Sequence, residues 1–250
     1  MFTVHKEGLP FIEILCVDSS NNYAMGWINE GLANHQMSFF TYYQSAGKGQ
    51  TGKMWQSTPG KNILLTTILD ANGIALSSQP VFNMAVALAI QEFYQSFVTE
   101  PVKLKWPNDV YVNDKKAAGI LIENRIKGNR WQWAVVGMGI NINQDSFPDT
   151  SNATSLKILT GKEFVPVQLA KQLLPAVFRY FERLKAGEEE ELFQLYNSKL
   201  YKLGSEIKLE NDQTTIHGLL QGVDKSGRLI VNANGAEKRI SHGEARWIIA

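Results

Sequence analysis

The chain has 250 residues, and its 25 lysine and arginine residues against 24 aspartate and glutamate residues give a formal net charge of +1. Because positive and negative charges are nearly equal in number, the chain lacks the broad basic surface that sequence-independent nucleic-acid binding requires. The single cysteine excludes an internal disulfide framework and any zinc site built from several cysteines, while 44% hydrophobic residues indicate a folded chain.

No segment of the sequence is typical of a membrane span or a secretory signal. The longest apolar run, residues 84–90, is far shorter than the ~20 residues that a membrane-spanning helix needs. The N-terminal segment lacks a basic region followed by an apolar core and a small-residue cleavage site. We therefore expect a cytoplasmic protein that is not tethered to a membrane.

The first 150 residues mix helix and strand patterns without regular β-α-β alternation. The aliphatic run at residues 12–17 predicts a buried strand and places the only cysteine, Cys16, in the interior. Pro80 suits the first turn of a long helix that continues to Phe97. A short helix is predicted at 23–31, and strands at 37–44, 63–69, 102–106, 110–112, 117–123 and 131–143. This mixture predicts an α+β fold with a mixed, largely antiparallel sheet flanked by helices.

The C-terminal hundred residues change from helical to strand patterns. Residues 165–185 have apolar side chains at helical spacing, and Pro175 is expected to bend or split that helix. A second helix opens at residues 188–191, where four carboxylates complement the helix dipole. Five short strands follow at 207–209, 215–221, 229–233, 238–240 and 246–249. We predict two domains, residues 1–202 and residues 203–250, the second a small β-barrel packed on the first.

The loop at residues 47–54, Gly-Lys-Gly-Gln-Thr-Gly-Lys-Met, has the spacing of a P-loop except at its last position. Met54 stands where a P-loop has the hydroxyl that holds Mg²⁺, and turn-forming residues follow where a helix should begin. A P-loop ATPase is therefore disfavoured. The glycines still let the backbone approach a ligand, while Lys48 and Lys53 add charge beside free amide groups that can bind oxyanions.

A second cluster of polar residues joins two predicted strands. The sequence Lys-Trp-Pro-Asn-Asp ends at Asp109, where its proline fixes a turn and its last residues place an amide and a carboxylate at the sheet end. A plain β-turn uses the same residues. Lys116 follows at the tip of the next hairpin, and Gly119 inside a strand indicates close approach to the backbone. Residues 137–143 repeat this pattern of strand glycines followed by asparagines.

Taken together, these segments resemble the biotin protein ligases, or biotin–[acetyl-CoA-carboxylase] ligases. The glycine loop, the Lys-Trp-Pro-Asn-Asp segment with its following lysine, and Gly-Met-Gly-Ile-Asn at 137–141 occur in that family's order and approximate spacing. Residues 18–21 are similar to the family's Asp-Ser-Thr-Asn segment, and Ala-Thr-Ser-Leu at 153–156 also fits. The resemblance spans nearly the whole chain and implies a class II synthetase-like catalytic domain followed by an SH3-like barrel.

The resemblance implies an ATP-dependent ligase that works in two steps. Biotin's carboxylate attacks the α-phosphate of ATP to form biotinyl-5′-AMP and pyrophosphate, with Mg²⁺ accompanying the nucleotide. A lysine of a biotin carboxyl carrier protein then accepts the biotinyl group. The implied partners are biotin, ATP and the carrier domain, with no DNA and no membrane. The motifs begin at Asp18, so we expect no N-terminal DNA-binding domain; a homodimer through the edge of the main sheet is compatible with the family.

The resemblance also implies roles for individual residues. Lys116, Lys48 and Asp109 are the implied catalytic residues, with Lys116 between the two reacting anions and Asp109 orienting or deprotonating the incoming amine. The implied biotin-binding residues are Ser19, Ser20, Asn21, Gln44, Gly47, Lys48, Gly49, Lys116, Gly119 and Ile120. The implied nucleotide-binding residues are Lys48, Gln50, Lys53, Trp55, Asn108, Lys116, Gly139, Ile140 and Asn141. No side chain is implied as a fixed metal ligand.

Two positions depart from the family pattern, and two other functions stay open. Lys48 stands where many members have arginine, and Gln50 stands where members often have a basic residue. Gln50 cannot neutralise a phosphate, so retention of the adenylate is expected to differ. A lipoate ligase or octanoyltransferase is the nearest alternative, since it shares the fold and the acyl-transfer chemistry. A biotin-binding or regulatory module without catalysis is the other, and the presence of Lys116 and Asp109 disfavours it.

Overall fold

The computed structural model describes residues 2–4, 10–148, 152–211 and 214–248. The strands of the N-terminal part are β1 (Phe2–Val4), β2 (Pro10–Ile14), β3 (Ser38–Thr41), β4 (Ile63–Asp70), β5 (Val102–Lys105), β6 (Asp109–Val112), β7 (Lys115–Lys127) and β8 (Arg130–Ile140). The helices are α1 (Ser20–Asn29), α2 (Gln79–Gln95), α3 (Leu156–Thr160), α4 (Pro166–Lys185) and α5 (Glu189–Ser198). The C-terminal strands are β9 (Glu206–Glu210), β10 (Thr215–Val223), β11 (Leu229–Ala233), β12 (Ala236–Ile240) and β13 (Arg246–Ile248).

Strands β1 to β8 form one sheet, which confirms the predicted α+β class. Their order is β1-β2-β3-β4-β8-β7-β6-β5, and among the described strands β2 and β3 pair in parallel while the other neighbours pair antiparallel. At the β5 edge, Leu104 pairs with Leu200, so the segment after α5 covers that edge. Within the described residues, no helix combines the length and hydrophobicity that crossing a bilayer requires.

The two faces of this sheet carry different side chains because neighbours along a strand point to opposite sides. One face holds Leu65, Met138 and Val110, which are fully buried with α2 and α4 in the main hydrophobic core. The opposite face packs α1 against a smaller cluster that includes Phe39 and Ile68. Beyond α1 this second face carries Gly119, Gly137 and Gly139 on β7 and β8, and a cavity lies above them.

The prediction of a buried strand over residues 12–17 is wrong at its C-terminal end. Strand β2 ends at Ile14, Leu15 is 81% exposed and the Cys16 thiol is exposed, so Cys16 is not buried as expected. The reason is the pairing of β2 with β3, which stops at Ile14 opposite Thr41, after which the chain turns toward α1. Hydrophobicity along the chain does not indicate where a partner strand ends.

Pro175 does not split the predicted helix, because α4 continues from Pro166 to Lys185. The side chain of Pro175 is exposed, while its neighbours Leu174 and Ala176 are buried in the core. Proline removes one backbone hydrogen bond, and on the exposed face of the helix the carbonyl that loses its donor can bind water instead. Packing of the buried face against α2 therefore keeps the helix continuous.

The C-terminal strands form an antiparallel sheet in the order β12-β11-β10-β9-β13. Among the described residues no pairing joins β12 to β13, so the expected barrel is not closed. The sheet packs on the N-terminal part through polar contacts: the Asn197 side chain bonds the backbone N–H and carbonyl of Val223, and the Trp106 indole donates to the Gly227 carbonyl at 2.8 Å. The domain boundary between residues 202 and 203 stays a prediction.

Candidate active site

A cavity of about 920 Å³ lies on the second face of the main sheet, between that sheet and the C-terminal strands. It brings together segments that are far apart in the sequence: the start of α1, the glycine loop, the turn after β5 and the middle of β7 and β8. The predicted site residues that line it are Ser19, Ser20, Asn21, Gln44, Lys48, Gly49, Gln50, Lys53, Trp55, Asn108, Asp109, Lys116, Gly119, Ile120 and Gly139.

Three predicted residues do not line this cavity. The Gly47 carbonyl accepts a hydrogen bond from the backbone N–H of Trp55, which closes the glycine loop. Ile140 is fully buried in the core. Asn141 is buried too, and its side chain donates to the Lys116 carbonyl at 3.3 Å, so it supports the lysine backbone and does not face the cavity. Ile120 borders the cavity, but its side chain belongs to the core.

The floor of the cavity is made by two glycines that face each other on neighbouring strands. Gly119 of β7 pairs with Gly139 of β8, and the indole of Trp55 lies across both. A Cβ added to Gly119 would lie 2.9 Å from the indole Cζ3, and one added to Gly139 would collide with the same ring. Among the described residues, the buried indole nitrogen of Trp55 has no hydrogen-bond partner. Glycine is therefore required here so that the loop can rest on the sheet.

Lys116 faces the cavity because β7 contains one extra residue. The pairing of β6 with β7 shifts between Val110, which opposes Ala118, and Tyr111, which opposes Lys116. Strict alternation would put Lys116 on the core side with Ala118, but the bulge moves it to the side of Gly119. Its ammonium lies 2.7 Å from the Asp109 carboxylate. The lysine side chain folds back over Gly119, where a Cβ would lie 3.1 Å from its Nζ.

The inner end of the cavity is a buried polar network around the start of α1. The Gln44 side-chain oxygen accepts hydrogen bonds from the Ser20 backbone N–H at 2.7 Å and the Ser20 hydroxyl at 2.9 Å. The Thr66 hydroxyl lies 2.7 Å from the Ser20 oxygen and 2.8 Å from the Asn21 oxygen. Gly137 leaves the space that Asn21 fills. Sequence reasoning missed Thr66, although its position on β4 places it on the same sheet face.

The glycine loop is tied to the sheet by a residue that the sequence analysis also missed. Glu123 of β7 accepts from the Asn21 amide at 2.8 Å with one oxygen and lies 3.2 Å from the Lys48 ammonium with the other. Strand alternation places Glu123 on the side of Gly119, and that pattern could have identified it. The Gly49 amide donates to the Lys53 carbonyl at 2.7 Å, so this N–H, expected to be free for an oxyanion, is engaged within the loop.

The loop does not have P-loop geometry. Residues Gln50–Gly52 form a single 3₁₀ turn, and Lys48 pairs with Met54 on the other side of it. A P-loop opens into an α-helix whose N-terminus faces the phosphates. Here no helix starts in the segment that follows, from Lys53 to Lys61, which agrees with the sequence-based rejection of a P-loop ATPase.

Positive charge dominates the cavity wall. The basic residues that line it are Lys48, Lys53, Lys105, Lys116 and Arg246, and the acidic ones are Asp109, Glu210 and Glu244. Burial lowers the pKa of Lys105, an effect that nearby Asp109 partly opposes. Arg246 and its neighbours come from the C-terminal sheet, and the sequence pattern did not indicate that they would reach this site. Among the described residues, no cluster of three or more His, Cys, Asp or Glu side chains is placed to hold a metal ion.

Comparison with known proteins identifies two matching family models. One, described as the biotin/lipoate A/B protein ligase family, matches residues 14–141, just over half of the chain. The other, described as the biotin protein ligase C-terminal domain, matches residues 202–245. A solved structure, the biotin protein ligase from Aquifex aeolicus in complex with biotin and ATP, aligns with a TM-score of 0.81 and 26% identity, covering 96% of this chain and 99% of that one.

Curated relatives are similar over most of the chain. The bifunctional ligase/repressor BirA of Bacillus spizizenii is 27% identical over 201 residues, which are 79% of this chain and 62% of that protein. The chain therefore matches less than two thirds of that relative's length. The biotin–[acetyl-CoA-carboxylase] ligase of Paracoccus denitrificans is 29% identical over 208 residues, which are 80% of this chain and 86% of that protein.

Proposed function

The chain belongs to the biotin/lipoate A/B protein ligase family, and we propose that within it the protein is an ATP-dependent biotin–[acetyl-CoA-carboxylase] ligase. It forms biotinyl-5′-AMP from biotin and ATP and transfers the biotinyl group to a lysine of a biotin carboxyl carrier protein. One observation carries this proposal: the Lys116 ammonium lies over a glycine floor that the Lys48-bearing loop covers. The names of the Paracoccus and Aquifex proteins support biotin as the acid.

Biotin is assigned to the inner end of the cavity. Its ureido group needs neutral donors and acceptors, and Ser19, Ser20, Asn21 and Gln44 supply them at the start of α1. The valerate chain is assigned to the stretch of the cavity between this end and Lys116, which Gly119 and Ile120 border. The loop residues Gly47, Lys48 and Gly49 then lie at the carboxylate end, toward Lys116. Amides already hydrogen-bonded in the core network are preorganised, which favours binding.

The nucleotide is assigned to the outer end of the cavity, beside the C-terminal sheet. We assign Gln50, Lys53 and Asn108 to this part, and Trp55, which lies on Gly139 at the floor, offers a ring for the adenine. Ile140 and Asn141 act indirectly in this proposal, through the strand backbone and through the Lys116 carbonyl. The described residues offer no cage for a metal ion, so Mg²⁺ enters as the counter-ion of ATP.

The first step brings two anions together, so positive charge must meet the developing negative charge. Lys116 is held at the floor by Asp109 and lies where the biotin carboxylate meets the α-phosphate. Lys48 approaches from the loop, where Glu123 holds it in the absence of phosphate. A loop that lies over the cavity also keeps water from the reactive adenylate.

In the second step the carrier lysine must lose its proton before it attacks the adenylate carbonyl. Asp109 is the carboxylate on the cavity wall nearest Lys116, and we assign it the role of orienting or deprotonating that amine. The ion pair with Lys116 adds a second role, which is to hold the lysine in place. A cytoplasmic location is part of the proposal, and so is the division into two domains after residue 202.

A homodimer through the sheet edge also stays a proposal. The β5 edge is already paired with Leu200, so β1 is the edge that could pair with a second copy. Light scattering of the purified chain over a range of concentrations measures this directly. A monomer mass at every concentration would exclude the dimer.

The test is incubation of the protein with biotin, Mg-ATP and a biotin carrier domain, followed by intact-mass measurement. We expect one added biotinyl group on the wild-type carrier and none on a carrier whose acceptor lysine is replaced by arginine. Lipoate in place of biotin tests the nearest alternative, and labelling with lipoate alone would establish it. Biotin binding without ATP-dependent labelling would establish a module without catalysis.

A further inference from the structure

The function proposed above does not use Lys105, the last residue of β5. Lys105 pairs with Asp109 across β5 and β6, and it lines the cavity. Its ammonium lies 5.2 Å from the centre of the Tyr111 ring and 5.4 Å from that of Trp247. Because Trp247 belongs to β13, the two sheets together enclose this lysine.

Three other cations on the cavity wall have carboxylate partners, whereas Lys53, like Lys105, has none among the described residues. Lys48 pairs with Glu123 at 3.2 Å, Lys116 with Asp109 at 2.7 Å, and Arg246 with Glu210 at 2.6 Å. Over the described part of the chain, no carboxylate lies within ion-pair distance of the Lys105 ammonium, and no hydrogen bond engages it.

Burial makes this arrangement costly in the absence of an anion. Aromatic faces attract an ammonium but do not replace the hydrogen bonds that water would supply. Burial also lowers the pKa of Lys105. A partly buried ammonium with three unused donors is a binding site for an oxyanion.

The position of Lys105 identifies the anion. Lys116, Asp109 and Lys105 follow one another across the sheet from the glycine floor of β7 toward the edge strand β5. If the α-phosphate lies at Lys116, the rest of the triphosphate extends toward the edge, since biotin occupies the opposite direction. Lys105 and the C-terminal sheet stand at that outer end.

We propose that Lys105 binds the β- and γ-phosphates of ATP and holds the pyrophosphate that the first step releases; this inference rests on the proposed function. In that step a carboxylate oxygen of biotin forms a bond to the α-phosphorus as the bond from that phosphorus to the bridging oxygen breaks. The electron pair leaves on the pyrophosphate, whose new charge Lys105 stabilises without giving up its proton. The C-terminal sheet completes the site through Trp247.

The test measures pyrophosphate kinetics in biotin-dependent ATP–pyrophosphate exchange. The variant Lys105→Met keeps the stem and removes the charge. We expect it to raise the KM for pyrophosphate roughly 10- to 100-fold, the range for losing a hydrogen bond to a charged group, while the KM for biotin stays near the wild-type value. Lys103→Met is the matched control, because Lys103 precedes Lys105 by two residues on β5 and does not line the cavity. Lys105→Arg should retain most of the pyrophosphate affinity.

A second measurement uses the wild-type protein and does not depend on a variant that folds. Limited acetylation followed by peptide mass spectrometry should show that inorganic pyrophosphate protects Lys105 and leaves Lys103 unprotected. An unchanged KM for pyrophosphate in Lys105→Met, or the absence of protection, would overturn the inference. Lys105 would then have only a structural role, in the packing between the two sheets. If the wild-type enzyme shows no biotin-dependent exchange at all, the proposed function fails and this inference fails with it.

Discussion

The ammonium of Lys116 lies 2.7 Å from the carboxylate of Asp109, although strict strand alternation would place the lysine on the opposite side of the sheet. The extra residue in β7 brings the two groups together. The pair has consequences for both proposed steps, because Asp109 cannot hold Lys116 and receive an amine proton with the same oxygen at the same time.

Replacement of Lys116 by alanine should abolish most adenylate formation while leaving the fold intact. The side chain lies on the cavity floor and not in the core, and removal of one preorganised charge donor typically costs about 10²–10³ in rate. Biotin-dependent pyrophosphate exchange measures this step, with circular dichroism as the check on folding. Exchange near the wild-type rate would contradict the role given to Lys116.

Replacement of Asp109 by asparagine separates the two roles of the carboxylate. If the main role is to position Lys116, exchange should fall by about tenfold or more, while transfer from added biotinyl-5′-AMP to the carrier falls less. Both half-reactions can be measured with the same purified variant. The reverse pattern, with normal exchange and slow transfer, would assign Asp109 to deprotonation of the carrier lysine.

Replacement of Gly139 by alanine should displace the Trp55 ring from the floor. A Cβ at this position collides with the indole, whereas one at Gly26 of α1 meets no heavy atom within 4 Å. We expect Gly139→Ala to weaken biotin and ATP binding at least tenfold by calorimetry. Gly26→Ala is the control and should stabilise α1 by roughly 0.5–1 kcal/mol without changing either affinity. Equal ligand affinity in the two variants would rule out this role of the glycine floor.

Replacement of Glu123 by glutamine should loosen the glycine loop. The Lys48–Glu123 pair is partly exposed, so its loss is worth roughly 0.2–1 kcal/mol, or about 1.5- to 5-fold in loop opening. Trypsin cleavage after Lys48 and Lys53 should accelerate by that factor and slow again when biotin and ATP are added. Glu163→Gln breaks a comparable exposed pair with Lys157 and should leave loop cleavage unchanged. A loop cleavage rate that changes with neither the substitution nor the ligands would argue against a lid.

Acid should destabilise the protein partly through His35. Its Nδ1 accepts a hydrogen bond from the Asp70 backbone N–H at 3.0 Å, and burial lowers the pKa of His35 below its usual 6.5 despite the nearby Glu182. Because the pKa is lower in the folded state, the unfolded chain binds the proton first, so stability falls as the pH drops through 6.5 toward the folded-state value.

The variant His35→Gln keeps a hydrogen-bond acceptor and cannot take up the proton. Its free energy of unfolding, measured in urea, should fall less between about pH 7.5 and about pH 5.5 than that of the wild type. Parallel curves for the two proteins would show that another group controls stability in this range.

Most of the secondary structure could be predicted because its causes are local. Helix α2 begins at Gln79 and has Pro80 in its first turn, and the alternating segments after residue 203 become β9 to β13. The end of β2, and with it the exposure of Cys16, depends on where β3 stops and could not be predicted from either segment alone. The same holds for Pro175, whose effect depends on the face of α4 that the core buries.

The candidate site divides along the same line. Its motifs could be identified in the sequence because glycine, lysine and asparagine at fixed spacing indicate close backbone approach, positive charge and hydrogen bonding, whatever the rest of the fold. Lys105, Thr66 and Glu123 were not assigned, because their roles arise from the strands and rings placed opposite them.

The amino-acid sequence by itself determined the fold class, the family resemblance and the residue types that the chemistry requires. Only the tertiary structure decided which of those side chains share a cavity. One extra residue in β7 reverses the side to which Lys116 points, and the C-terminal sheet brings Trp247 to Lys105. Both results depend on contacts between segments that are far apart in the sequence. The free energy of such contacts depends on both segments and cannot be read from either one alone.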